Sequence, residues 1–508
     1  MRSASAASNL RHSVTLALVL SLGAAISLGV TRFSYGLLLP PMRADLGWSY
    51  TLAGAMNTIN ALGYLLGALS MPRLLKRHGA AQMLVVGAVL ASVFMMLTGF
   101  FTTATPLLLQ RLLAGVASAW VFVAGGLLAA QLGVREPDHS GLLLGVYYGG
   151  TGLGIVISAL LVPGVAHVVS VNLPAAAHPW VWAWWALAVA CAVGTLMLMT
   201  QARAMQALAA GSATTPAASP AVSSASVTTS VKEPLQTTFR WRSVTFALLV
   251  PSVAHIVSSN LPAALHPWVW AWWALAVGCA VATLVLMTQT SAMKALATGP
   301  TARATSSSAP SSDSVKEPHQ HPFRWRSFTF ALLGYGCFGI GYIGYMTFVI
   351  ALLREQAAST TMITVFYTLL GLAVMASSRI WAKLLDRYQG GQALALLNML
   401  LGSAIVVPAL TSWQPALMAS GLLFGGVFLS VVASTTALVR HNLPVSAWGA
   451  GISAFTIVFA AGQIVGPTMV GWIADGTGGL ARGLLISALV LWLGAALAWQ
   501  QKPLAKPV

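Results

Sequence analysis

Two arginines carry the chemistry most worth following in this chain. Arg32 and Arg111 are the charged side chains set well inside its apolar segments, and each of its nine acids lies at or beyond a segment end. An ionisable side chain in hydrocarbon costs about 2.5 kcal/mol or more, so it faces a protein interior or a water-filled path and marks a substrate or ion site. A guanidinium is a planar fork of N–H donors that matches a carboxylate, sulfonate or phosphate bidentately. Two such forks without a resident acid read as a site that waits for an anion, where a cationic compound would be repelled. The competing reading has each arginine snorkelling to headgroups or binding backbone carbonyls.

The elements that must hold this pair are helices. A bilayer core takes about 20 apolar residues per helix, and runs of that length recur from Val14 almost to the C-terminus. The first half predicts spans over 14–39, 50–72, 81–101, 106–132, 141–167 and 180–200, and the last part six more over 328–352, 361–382, 392–410, 416–439, 449–473 and 483–500. At a rise of 1.5 Å per residue, Arg32 lies about 10 Å inside the outer end of the first span and Arg111 about 8 Å inside that of the fourth. The two arginines share a depth on this reckoning.

Composition agrees. The 508 residues are 57% hydrophobic and 7% charged, with mean hydropathy +0.80, whereas soluble domains carry about 25% charged residues. The chain reads as an all-α polytopic membrane protein. Its net charge of +17 sits in short loops and calls for no nucleic-acid partner. The first apolar run, from Val14 to about Leu39, exceeds the 7 to 15 residues of a secretory h-region and reads as a transmembrane helix. Cys191, Cys279 and Cys337 have no spacing for disulfides or a metal site. Neither a phosphate-binding glycine loop, a zinc pair nor a nucleophile elbow is present, which disfavours an enzyme, an ATP-driven pump and any cofactor.

A direct duplication interrupts the two sets of six. The stretch from Pro163 (PGVAHVVSVNLPAAAHPWVWAWWALAVACAV) returns from Pro251 (PSVAHIVSSNLPAALHPWVWAWWALAVGCAV), an offset of 88 residues, and each copy runs into a Ser/Thr/Ala/Pro-rich linker, VKEP and FRWRS. The expected organisation is an N-terminal six-helix bundle (1–200), a cytoplasmic low-complexity linker (201–243), a duplicated extra helical hairpin (244–288), a second linker (289–326) and a C-terminal six-helix bundle (327–508), with about 14 spans. The hybrid segment 243–258 is short for a span. If it crosses, 21 Lys/Arg residues lie on one side and only Arg43, Arg354 and Arg482 on the other. That asymmetry places both termini in the cytoplasm.

Particular motifs give this plan a family. Two six-span halves joined by a long loop resemble the major facilitator superfamily of secondary transporters. RLLAGVASA, with Arg111 and Gly115, resembles its fourth-span Arg-x-x-x-Gly signature, and GQIVGPTMVG, with Gly462, Gly466 and Pro467, resembles its Gly-Pro penultimate span. The loop signature after the second span keeps Gly67 and the basic Arg73, Lys76 and Arg77 but has Met71 in place of its Asp, while AKLLDRYQGG in the second half keeps Asp386 and Arg387. TRFSYGLLLPPM, DLGWSYTLAGAMNTINALGYLLGAL and YGCFGIGYIGYMTF together resemble the YbfB/YjiJ branch. The resemblance covers both halves and omits only the duplicated insert.

That resemblance implies a cavity lined by spans one and four, two bundles that rock about it, and residence in a bacterial inner membrane. Arg32 and Arg111 are expected there with Tyr35, Asn60, Tyr64, Tyr342 and Gln463, while Asp386, Arg387, Arg73, Gly462, Gly466 and Pro467 are expected to act in gating. The expected function is secondary active transport of a small organic anion by alternating access. Proton coupling would run through the substrate itself or through Asp45, Glu355 or Asp475. An exporter of hydrophobic or amphipathic compounds and a non-transporting sensor or scaffold are the alternatives. Gly141, Gly145, Gly149 and Gly154 read as a close-packing stripe, and the HPWVWAWW clusters, with their flanking His178 and His266, as interfacial belts.

Overall fold

The computed structural model describes residues 2–211, 325–444 and 447–504. Among these, twelve helices are long and apolar enough to cross a membrane: Leu10–Leu46, Tyr50–His78, Ala80–Thr98, Ala104–Arg135, Pro137–Asn172, Trp180–Thr200, Trp325–Glu355, Thr360–Ser377, Gln392–Leu410, Gln414–Asn442, Gly451–Ala474 and Gly479–Trp499. They are called spans one to twelve below. Both sets of six belong to one compact unit. The hybrid segment, the second Trp cluster and most of both linkers lie outside the described residues, and so does the expected count of 14.

Several helices outrun the apolar stretches that announce them. Span two continues to His78 and closes on Lys76, Arg77 and His78; span four ends on Arg135 and span ten on Arg440, His441 and Asn442. Basic side chains in a last turn complement the negative end of the helix dipole, so the helix persists where hydropathy has already fallen.

Span one departs most from a regular rod. It is α-helical to Ala24, π-helical over Ala25–Val30, turned through residues 31–34, and α-helical again over Tyr35–Leu46, where Pro40 and Pro41 lie inside the helix. The amides of Thr31 and Phe33 reach back five residues to Ile26 and Leu28, both at 3.0 Å. Irregular backbone at membrane depth persists only where other groups satisfy the carbonyls it releases. Here the Ser118 hydroxyl donates to the Ser27 carbonyl and the Tyr367 hydroxyl to that of Phe33, at 2.8 Å.

Span five packs on this break. The backbones of Gly29 and Gly154 approach so closely that a Cβ on Gly29 would sit 2.6 Å from the Gly154 Cα. The expected stripe is corrected in part, since Gly141 meets nothing within 4 Å while Gly150 and Gly152 face Ser21 and Gly371. Across the two halves, span two lies along span eleven, span five along span eight, and the second part of span one along span seven.

Candidate functional site

Arg111 owes its position to the glycine one turn further along. A Cβ on Gly115 would collide with the Asn60 carbonyl, so span four reaches span two only because that side chain is missing. In this contact the Asn60 amide donates to the Arg111 carbonyl at 3.0 Å. The guanidinium then points to the break in span one. Its Nη1 donates to the Thr31 carbonyl at 3.1 Å and its Nη2 to Asn57 Oδ1 at 3.0 Å. The rings of Tyr35 and Trp184 lie 4.9 and 6.0 Å from its Cζ. Asn57 in turn donates to the Thr347 hydroxyl of span seven at 2.7 Å. Arg111 thereby ties spans one, two and four together and, through Asn57, reaches the second half.

Arg32 is held differently. It is 2% exposed, its Cζ stands 5.7 Å from the Tyr64 ring, and its Nε and Nη2 meet no hydrogen-bond partner among the described residues. Those two nitrogens form one edge of the guanidinium, with N–H bonds directed to the same side, the edge that a carboxylate bridges. Among the described residues the one ion pair is His178 with Asp45, at 2.6 Å near the end of span one. Among the described residues the two arginines are buried together without a carboxylate; Arg111 engages both terminal nitrogens and leaves only its Nε unpartnered, while Arg32 is open along its bidentate edge.

The second half faces them with aromatic rings. Tyr342 and Gln463 are each 1% exposed. Gln463 and Arg32 both lie within electrostatic reach of the Tyr342 phenol. The Gln463 Oε1 has no partner among the described residues. Around Tyr342 runs a column of nearly parallel rings. Phe338 lies 4.7 Å away at 20°, Phe428 5.1 Å away at 23° and Phe459 5.6 Å away at 18°. Tyr335 and Phe459 continue it at 5.1 Å and 23°. The signal was present in the sequence as Tyr335, Phe338, Tyr342 and Tyr345, a recurrence of three, four and three residues that sets one helix face.

Of the residues expected at the site, Arg32, Arg111, Tyr35, Asn60, Tyr64, Tyr342 and Gln463 are brought into this buried region. Two are already engaged: Asn60 as above, and Tyr35 through its hydroxyl, which donates to the Ala53 carbonyl at 2.9 Å. The residues assigned to gating divide. Gly462 and Gly466 pack span eleven against Ile340 of span seven, and the Pro467 carbonyl meets Gly54 of span two across the halves. Arg73, Asp386 and Arg387 are exposed at the other end, where Asp386, Ala437, Arg440, His441 and Trp448 line a cavity of 310 Å³. The belt reading of the first Trp cluster is corrected for two members. Trp184 is fully buried beside Arg111, and Trp180 donates to Asp45 at 2.5 Å.

Hydrogen bonds between the halves all lie at the level of Arg32 or toward the end that carries Asp475, among the described residues. Asp475 Oδ1 accepts from the Tyr50 amide at 2.7 Å, and its Oδ2 accepts from the Thr51 amide and hydroxyl at 2.8 and 2.6 Å. The carboxylate thus caps the N-terminus of span two from the opposite half. The Tyr50 hydroxyl donates to Glu355, and the Arg43 Cζ stacks 3.7 Å from the Tyr50 ring. Partial burial pushes the Asp475 carboxyl up, but the Thr51 and Tyr50 hydrogen bonds and the Arg43 charge outweigh it and hold the group below its ordinary value.

The chain matches the family described as "Uncharacterised MFS-type transporter YbfB" over residues 24–233 and 244–499. No curated protein sequence matches it. Among solved structures it is similar to the nucleoside transporter NupG, with TM-score 0.58 and 12% identity over 96% of this chain and 100% of that one. It is also similar to a mutant form of the peptide transporter POT, with TM-score 0.56 and 14% identity over 96% and 95%. Tetrameric PepTSo2 gives TM-score 0.56 and 14% identity over 97% and 96%. At such identities the likeness speaks for the fold. With twelve candidate spans in two sets and a family match running through both, the chain belongs to the YbfB-like branch of the major facilitator superfamily of membrane transporters.

Proposed function

We propose that the chain is a secondary transporter of a small organic anion, with Arg32 as the group that receives the negative charge. The observation that carries this reading is the open bidentate edge of a buried guanidinium with no acid beside it. A buried ion without a partner is expensive, and an arriving carboxylate relieves that cost in a way that a neutral or cationic compound does not. Arg111 acts as the strut that fixes the broken span one around Arg32 and adds positive potential to the site.

Transport proceeds by alternating access, in which one half rocks against the other about the buried site. The end bearing Asp475 is closed by bonds between the halves and faces outward, and the basic end carrying Arg73, Arg135 and Arg440 faces the cytoplasm, in line with the loop-charge asymmetry. Purified protein in proteoliposomes tests the reading through uptake of a panel of radiolabelled organic acids. The wild type accumulates at least one of them, Arg32→Lys retains part of the flux and Arg32→Gln loses it. Equal flux in Arg32→Gln, or uptake confined to cations and neutral compounds, contradicts the proposal.

A further inference from the structure

Resting on the anion reading, we infer that the transported anion is an aromatic carboxylate bearing a hydroxyl or similar N–H/O–H donor, bound between the Arg32 edge and the Gln463 side-chain oxygen. Unmet polar groups of the two halves lie near Tyr342. On the first half, Arg32 offers two unpartnered N–H donors, its chain neighbour Phe33 packs on Phe428 at 5.7 Å, the ring that stacks on Tyr342, and Arg32 lies within electrostatic reach of that phenol. On the second half, Phe459, one turn before Gln463 on span eleven, stacks on the Tyr342 ring, Gln463 acts on the same phenol, and its Oε1, at 1% exposure, is an unpartnered acceptor among the described residues. One buried group lacks an acceptor and its neighbour across the halves lacks a donor.

Each unmet bond costs free energy, because a buried polar group without a partner has given up water for nothing. A simple aliphatic monocarboxylate would settle only the arginine. A ligand with a carboxylate at one edge and an O–H or N–H at another settles both and bridges the halves. Binding would then couple directly to their relative position, as a rocking carrier requires.

The body of the ligand follows from the surface between these groups. Phe338, Tyr342, Phe428 and Phe459 present rings inclined to one another by 10 to 37°, and the Tyr64 ring lies 5.7 Å from the Arg32 Cζ. Offset-stacked rings favour another flat ring over a puckered aliphatic one, since only a flat ring keeps van der Waals contact across its whole face. No covalent step is involved.

The test measures equilibrium binding of a probe panel to the purified full-length protein in detergent, by thermal stabilisation and titration calorimetry. The probes are the three hydroxybenzoate isomers, benzoate, cyclohexanecarboxylate and 4-hydroxybenzyl alcohol. The expected order has at least one hydroxybenzoate binding about tenfold more tightly than benzoate, the gain of one well-made hydrogen bond, then benzoate ahead of cyclohexanecarboxylate, with the alcohol not binding. In Gln463→Leu the preference for the hydroxyl should shrink to near unity while benzoate binding persists. Because the wild-type ranking stands alone, a poorly folded variant does not rescue the inference. Cyclohexanecarboxylate binding as tightly as the aromatic acids, with dependence on Arg32, overturns the ring-and-donor class and leaves the anion reading intact. Binding of the alcohol equally in wild type and Arg32→Gln overturns both. Failure of every aromatic acid to bind at millimolar concentration overturns the class.

Discussion

Arg32 and Arg111 look alike in the sequence and differ in what their nitrogens touch. Arg111 donates to Thr31 and Asn57, so its removal strands a buried carbonyl and a buried amide oxygen. Arg111→Gln should lower stability by about 1 to 3 kcal/mol, read as a clear fall in melting temperature in detergent. Arg32 has an open edge, and replacing it removes an uncompensated buried charge. Arg32→Gln should therefore melt at or above the wild-type temperature while losing anion binding. A strong fall in the melting temperature of Arg32→Gln would make it a structural residue instead. The sequence placed both arginines at the site because charge inside an apolar run is conspicuous. Their division of labour was hidden, since it depends on backbone carbonyls that only the break in span one releases.

At the scale of elements, the closed end turns on one carboxylate that caps a helix of the opposite half. Asp475 is held below its ordinary value in this arrangement. Its contribution to closure is therefore full above the ordinary carboxylate pKa of about 4 and is lost as pH falls through the lowered value. Between pH 6 and 8 it stays ionised and supplies no proton for coupling. Asp475→Asn should weaken closure across that whole range, seen as faster labelling of a cysteine placed at Thr58. Wild type should show no such change until the medium is strongly acidic. A transition of the wild type near pH 7 that Asp475→Asn abolishes would refute this. The sequence marked Asp475 only as an acid at a helix end, because its partners, Tyr50 and Thr51, are more than 400 residues away. Span positions were legible from hydropathy; the π-turn over Ala25–Val30 was not, since no proline or glycine pair announces it.

For the molecule as a whole, twelve spans in two sets form one compact unit, and the family match runs through both sets. The duplicated 88 residues are thus not needed to complete the six-plus-six plan. Deletion of residues 163–250, which leaves a single copy of the repeated segment, should give a folded protein that still carries the anion. Loss of flux in that variant with retained folding would assign the insert a part in transport. The general plan was readable because bilayer length and repeat identity are written directly in the residues. The aromatic wall was not, since it assembles from spans seven, ten and eleven and no local pattern joins them.

The most direct measurement is the charge moved when an organic acid is presented to protein in a solid-supported membrane. With substrate found by the uptake panel, the wild type should give a transient current on addition of the acid, Arg111→Lys a reduced one, and Arg32→Gln none despite an undiminished melting temperature. A current of equal size from Arg32→Gln would show that the buried fork of Arg32 does not receive the anion, and the proposed site would fall with it.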